Sequence, residues 1–342
     1  MLGLKTMQDF IQKLIDGNNL TFEESKIAMN HIMEGSSTEA QFGAFVTSLR
    51  IKGETVDEVA GMASVMRDKS LKVNVDGILL DTCGTGGDGK NTFNISTCAA
   101  FVVAGSGVKV AKHGNRAMSG SSGSADVLEQ LGANINLSPK SVERLINDSG
   151  FGFMFAQVFH PSMKFAAGPR REIGIRTVFN ILGPLTNPAG ATNQLIGVSD
   201  STVGELMASV LAKLGVARAL VVHGDDGLDE VTTATTSTAW LLESGNVSEF
   251  SINPEDLGFS LGDLDLIKAG DPTQSTNMLE NVLKGDKGPA RDIVLLNAAA
   301  ALYAAGVVPD IEHGIRSAEF SIDSGKAIGK LKEFVGLSQE LK

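Results

Sequence analysis

The sequence predicts an α/β protein with a small all-α domain at its N-terminus, and three observations carry that prediction. The opening stretch holds three written helix starts and no strand signal. From Ile78 onward, short apolar runs alternate with helix-length segments. Two glycine-rich polar loops each follow one of those runs. Such alternation is the pattern of a mostly parallel sheet covered by helices.

The helix starts pair Thr21 with Glu24, Thr38 with Gln41, and Thr55 with Glu58. In each, the threonine hydroxyl accepts from the backbone N–H three residues on, and the side chain there answers the threonine N–H. Apolar residues follow at helical spacing, as in Val56, Val59, Ala60, Met62 and Ala63. Residues 1–72 are therefore expected to form the helical domain. A helical run at about 165–188 breaks the later rhythm, closes in Gly183-Pro184 and Asn187-Pro188, and is expected to rejoin it. Residues 73–342 are left to the α/β domain. Strands are expected at 78–80, 108–110, 151–155, 195–198 and 220–222. Helices are expected at 95–105, 125–131, 140–149, 203–214 and 291–305.

Ligands of such sheets bind beyond the carboxyl ends of the strands, where both glycine loops fall. The first loop runs Gly84-Thr85-Gly86-Gly87-Asp88-Gly89-Lys90-Asn91-Thr92 and reaches Asn94-Ile95-Ser96-Thr97. The second begins at Lys112-His113-Gly114-Asn115-Arg116-Ala117-Met118-Ser119-Gly120 and extends to Ser124. Backbone amides freed by glycine and flanked by Ser, Thr, Asn and Lys suit a polyphosphate. A phosphorylated small molecule is the expected ligand.

Composition narrows the class. A net charge of −11 argues against nucleic acid, because phosphate contacts along a strand need a basic face. An anionic protein with an anionic ligand must gather positive charge locally, and Lys90, Lys112, Arg116, Arg170 and Arg171 are placed to do so. Cys83 and Cys98 are too far apart for a metal knuckle and too few for a disulfide framework. No segment approaches the ~20 apolar residues of a membrane span, and the first residues make no signal peptide. A cytoplasmic protein without a membrane partner is expected.

Three local patterns resemble other phosphate sites and fail on detail. Gly84, Gly86 and Gly89 have the dinucleotide spacing, but the second strand ends in Lys112-His113 where that fold needs an acid for the ribose. Lys90 is followed by Asn91 where a P-loop needs Ser or Thr on Mg²⁺. Asp225-Asp226 end a strand as in common diphosphosugar sites, but the turn that should follow is missing.

The helical start, Gly84 to Asp88, Asn94 to Thr97, Lys112 to Arg116, Pro169-Arg170-Arg171 leading to Asn180 and on to Pro188, and Asp229-Glu230 stand in one order. By them the chain resembles the anthranilate phosphoribosyltransferase family over essentially its whole length. One such motif is weak; six in register are specific. The pattern at 163–166 is looser and carries no role. The resemblance implies a nucleoside phosphorylase/phosphoribosyltransferase-like fold. It also implies Mg²⁺-dependent transfer of the phosphoribosyl group of 5-phosphoribosyl 1-diphosphate to anthranilate, releasing diphosphate, the second step from chorismate to tryptophan.

Residue roles follow from the same resemblance. The diphosphosugar is expected on Gly84, Gly87, Asp88, Thr92, Asn94, Ile95, Ser96 and Thr97 from the first loop. From the second it is expected on Lys112, His113, Gly114, Asn115, Arg116, Ala117, Met118, Ser119, Gly120 and Ser124. Ser96, Asp229 and Glu230 are expected around Mg²⁺, hard oxygen ligands for a hard cation. Arg170, with Asn115 and Gly84 nearby, is expected to take the anthranilate carboxylate; Arg171 in that role is the alternative. His113 is left between orienting substrate and packing. No general base is assigned, because an aromatic amine is uncharged at neutral pH and can lose its proton after the bond forms.

Two enzymatic alternatives remain: a pyrimidine nucleoside phosphorylase, which is longer by a C-terminal domain, and a relative acting on another amine, which lacks the Arg170 and Asn115 contacts. A regulator that only binds phosphosugar needs no Asp229-Glu230 pair. A homodimer through the helical domain is also expected, on the crowding of Phe42, Phe45, Leu49 and Ile51 behind Thr38.

Overall fold

The structure, a computed structural model, describes residues 6–117 and 122–341. It opens with α1 (Met7–Ile15), α2 (Phe22–Met33), α3 (Glu39–Lys52) and α4 (Val56–Lys69). All three expected capping boxes close in both directions, and Thr6 with Asp9 makes a fourth at α1. Each satisfies amide donors that the first helical turn leaves orphaned.

The α/β part follows as β1 (Leu79–Gly84), α5 (Ile95–Gly105), β2 (Lys109–Gly114), α6 (Ser124–Gln130), α7 (Pro139–Ser149) and β3 (Phe151–Phe155). The chain then leaves the sheet through α8 (Ala156–Phe159), α9 (Lys164–Ile173) and α10 (Phe179–Leu182). It returns with β4 (Asn193–Gly197), α11 (Gly204–Lys213), β5 (Arg218–Gly224), β6 (Ser237–Glu243) and β7 (Asn246–Ile252). Helices α12 (Pro272–Lys284), α13 (Pro289–Ala304), α14 (Ile311–Asp323) and α15 (Lys326–Glu340) complete it.

The sheet order is β3-β2-β1-β4-β5-β6-β7. The first five strands are parallel, and β6 and β7 join antiparallel. The chain winds outward from β1 through β2 to β3, then resumes on the other side of β1 with β4. That reversal opens a crevice at the carboxyl ends of β1 and β4. Strands β1, β2, β4 and β5 all end on glycine, at Gly84, Gly114, Gly197 and Gly224.

Successive strand residues face opposite cores. Leu195, Leu220 and Val222 join the core shared with α5, α7, α13 and α15. Ile196, Val198 and Val221 face the other core, which runs through α11 into α1–α4. The helical layer is thus held on one sheet face. Helices α9 and α10 pack against it, with the Phe42 and Phe179 rings 5.3 Å apart.

That packing corrects one expectation. Phe42, Phe45 and Leu49 are buried in the chain's own core, and only Ile51 of the four is exposed, at 81%. Phe42 is covered by Phe179, far along the sequence, and Phe45 and Leu49 belong to the same core. Strand β2 also runs past Lys112 to Gly114. The hairpin β6–β7 was not anticipated. Its two-residue turn, Ser244-Gly245, has both φ positive (52° and 80°), as a type I′ turn requires. Among the described residues, no helix is long and apolar enough to cross a membrane.

Candidate active site

The crevice at β1 and β4 gathers the two glycine loops and the acidic pair. The Gly86 amide donates to Asp229 Oδ2 at 2.7 Å, and the Ser96 amide donates to Glu230 Oε1 at 3.1 Å. Residues 84–97 and 229–230 therefore meet directly across ~130 residues of sequence. This close approach needs bare backbone. A Cβ on Gly84 would run into the Asp229 carboxylate, and one on Gly197 would run into the Asp229 carbonyl. Gly197→Ala is expected to cost about 1–3 kcal/mol of stability and, by displacing Asp229, at least ~10-fold in turnover. Chemical denaturation with initial rates checks this; a fully active variant would mean that the approach is not needed.

Asn94 precedes α5 but does not cap it with its side chain. Its amide instead donates to the Ser122 carbonyl at 3.0 Å and the Ser122 hydroxyl at 3.2 Å, while its oxygen accepts from Thr97 Oγ1 at 3.1 Å. The two glycine loops are joined through this residue. Thr97 and Ile95 are buried, and Thr92 bridges to Lys268.

Lys112 lies under the crevice with its side chain buried. Its ammonium donates to the Thr82 carbonyl and, at 3.3 Å, to Ser96 Oγ. Burial pushes it toward the neutral amine, and the nearby Asp81 charge works against that shift. Asp81 is itself buried and pushed up to about 6 by desolvation, opposed by Lys112 and by the Asn187 side chain. Asn187 donates to Asp81 Oδ2 at 2.7 Å and to the Ala111 carbonyl at 2.8 Å; the His113 amide donates to Asp81 Oδ1 at 3.1 Å. Sequence reasoning gave Asp81 and Asn187 no role in the site, because their partners are distant in the chain.

Burial raises both Asp229 and Glu230 above the usual carboxylate range, with the Asp88 charge next for Asp229 and the Asp229 charge next for Glu230. Such a corner favours a cation. Two carboxylates and the Ser96 hydroxyl are hard oxygen donors of the kind Mg²⁺ takes. Among the described residues, no three His, Cys, Asp or Glu side chains form a cage. The neighbouring acids have plainer tasks: Asp226 accepts from Thr232 Oγ1 at 2.7 Å, and Asp225 accepts from the Thr236 and Thr238 hydroxyls.

The second loop is described up to Ala117 and again from Ser122. Met118, Ser119 and Gly120 lie outside the described residues. Arg116 pairs with Glu129 through both terminal nitrogens and with Asp126 at 3.0 Å. The Asn115 carbonyl accepts from Ser124 Oγ at 3.4 Å. Beside Gly114 the His113 imidazole is buried against His160, centroids 4.9 Å apart, and desolvation lowers its pKa well below the usual value.

On α9 the two arginines differ. Arg171 is exposed, whereas Arg170 is half-buried and stacks 5.4 Å from the centroid of Phe179. Partial desolvation lowers its pKa and leaves a guanidinium short of solvent.

Residues 76–328 match the glycosyl transferase family α/β domain, and residues 8–70 match that family's helical bundle domain. The anthranilate phosphoribosyltransferase of Acetivibrio thermocellus is 54% identical over 327 residues, covering 95% of this chain and 94% of that one. This chain belongs to the anthranilate phosphoribosyltransferase family. The member from Methanocorpusculum labreanum is 51% identical over 330 residues, covering 96% of this chain and 97% of its own length. Among solved structures, the anthranilate phosphoribosyltransferase of Thermus thermophilus superposes with a TM-score of 0.92 at 41% identity, covering 97% of this chain and 99% of that one. The Saccharomyces cerevisiae enzyme, in complex with 5-phosphoribosyl 1-diphosphate and Mg, gives 0.90 at 29% identity, with 98% of each chain covered. The resemblance read from six motifs thus extends to the whole anthranilate phosphoribosyltransferase chain and fold.

Proposed function

We infer that the chain transfers the phosphoribosyl group of 5-phosphoribosyl 1-diphosphate to the amine of anthranilate, giving N-(5-phosphoribosyl)anthranilate and diphosphate. The observation that carries it is the meeting of Asp229 and Glu230 with the amides of the first glycine loop, in a chain of this family. The amine nitrogen bonds to the ribose C1, the bond from C1 to the diphosphate oxygen breaks, and the amine proton leaves to solvent. Positive charge grows on the ribose and negative charge on the leaving diphosphate. Donors fixed in advance around that diphosphate lower the barrier.

The amides of Gly87 and Asp88 and the first turn of α5 at Thr97, past the Ser96 amide that Glu230 holds, supply those donors, in the manner of an anion at a helix N-terminus. Lys112 places its Nζ beneath Ser96. Residues 114–124 take the 5-phosphate, and Arg170 takes the anthranilate carboxylate, with Asn115 and Gly84 beside it. Ser96, Asp229 and Glu230 would hold Mg²⁺, which supplies charge neutralisation to the diphosphate when bound. No side chain serves as general base; orientation and electrostatics suffice.

Anthranilate fluorescence tests the activity. Emission is expected to fall only when the diphosphosugar and Mg²⁺ are both added; unchanged emission with all three present would refute it.

The helical domain comprises residues 1–72 with the segment at about 165–188, and residues 73–342 form the α/β domain. A homodimer through the helical domain retains exposed Ile15 and Ile51 as its support, at 63% and 81%. Light scattering at micromolar concentration is expected to give twice the chain mass; the mass of one chain would remove the dimer. A cytoplasmic location fits the unpaired thiols of Cys83 and Cys98.

A further inference from the structure

Arg176 is exposed in the turn between α9 and α10, six residues beyond Arg170. Its guanidinium crosses to the first glycine loop, where Nη1 donates to the Gly86 carbonyl at 3.1 Å and to the Gly87 carbonyl at 3.2 Å. The Ser199 hydroxyl donates to the same Gly86 carbonyl at 3.1 Å, and the Ser199 amide donates to Thr85 Oγ1 at 3.2 Å.

A trans peptide unit fixes what this does to the loop, because its C=O and N–H point in opposite directions. With the Gly86 and Gly87 carbonyls turned to Arg176, the N–H groups of Gly87 and Asp88 are turned away from it. Gly86 and Gly87 have φ of 68° and 77°, in the left-handed region where glycine moves freely between conformers. Without an outside hold these two peptide planes have little to keep their sense.

We propose that Arg176 is a positioning residue for the phosphosugar: its fork sets the 86–87 and 87–88 peptide planes so that the Gly87 and Asp88 amides are aimed before the ligand arrives. The role rests on the first loop being the diphosphate cradle. It is preorganisation of the kind that makes fixed donors effective. One nitrogen of a rigid planar guanidinium reaches both carbonyls, and a lysine ammonium on a flexible stem does not hold that position as firmly. Arg176 follows the helix that carries Arg170, so the segment beside the proposed acceptor site also shapes the donor site.

Calorimetric binding of 5-phosphoribosyl 1-diphosphate with Mg²⁺, without anthranilate, separates the alternatives in the full chain. Arg176→Ala and Arg176→Lys are both expected to weaken binding by about tenfold or more. The KM for the diphosphosugar should rise with it, while the KM for anthranilate and the melting temperature stay at the wild-type values. Wild-type affinity in Arg176→Lys would overturn the inference, since a point charge would then suffice. Wild-type affinity in Arg176→Ala would overturn it outright. Ser96→Ala is measured alongside. If it weakens binding and Arg176→Ala does not, Arg176 alone is refuted; if neither weakens it, the cradle falls as well.

Discussion

A double variant, Asp229→Ala with Glu230→Ala, is expected to fold and to lose measurable turnover at any Mg²⁺ concentration. The two carboxylates are half-buried against the Gly86 and Ser96 amides, and desolvation already pushes both toward the protonated form. Two like charges held short of solvent repel each other, so removing both relieves that repulsion and offsets the loss of their bonds to the Gly86 and Ser96 amides. In the proposed site their removal takes away the hard oxygen donors meant for the Mg²⁺ that faces the leaving diphosphate. Charge stabilisation of that kind is worth several kcal/mol, and each ~1.4 kcal/mol is tenfold in rate, so a loss of about a thousandfold or more follows. Initial rates across a Mg²⁺ titration, with a thermal melt to establish folding, give the answer. Near-normal activity at saturating Mg²⁺ would refute the assignment of the pair.

Arg170→Ala is expected to raise the KM for anthranilate about 10–100-fold and to leave that for the diphosphosugar nearly unchanged. The guanidinium is half-buried on the Phe179 ring, and its charge is poorly solvated. A carboxylate offered there gains a charge-assisted bond worth about 1.5–3 kcal/mol, which sets the range. Arg171 is exposed, so its charge stays solvated, and Arg171→Ala is expected to change little. The reverse outcome, with Arg171→Ala raising the KM and Arg170→Ala silent, would put the carboxylate on the other arginine.

Local patterns were legible in this sequence and long-range partners were not. The boxes at Thr21, Thr38 and Thr55 are closed within three residues, so their sequence alone suffices. The strand at 151–155 and the helix at 95–105 match their expected bounds because each is marked locally: Ser149-Gly150 before the strand, and Asn94 before and Ser106-Gly107 after the helix. The β6–β7 hairpin lies outside the expected strands although Ser244-Gly245 is a two-residue turn signal between two strands of seven residues. Helices α12 and α14 were missed despite Asp271 and Asp310 at their caps.

Tertiary packing removes three of the four residues from which the dimer surface is expected. Counting apolar residues in the first domain could not credit Phe179, which arrives ~130 residues later to cover Phe42. In the site, motifs named the acidic pair and the loops. What they could not name is what holds them: Asp81 under Lys112, Asn187 on Asp81, Gly197 giving way to Asp229 and Arg176 across the glycine loop. Asn297 belongs with these, its side-chain amide bonding both the N–H and the C=O of Val231, next to Glu230. These contacts join segments distant in sequence, and only the fold brings them together.

A crystal structure of this chain with 5-phosphoribosyl 1-diphosphate and Mg²⁺ tests the central claim most directly. The expected result is a cation between Ser96, Asp229 or Glu230 and the diphosphate, with the diphosphate on the Gly87 and Asp88 amides and the 5-phosphate on the loop reaching Ser124. A diphosphosugar bound away from the first glycine loop, with no cation near Asp229 and Glu230, would contradict it.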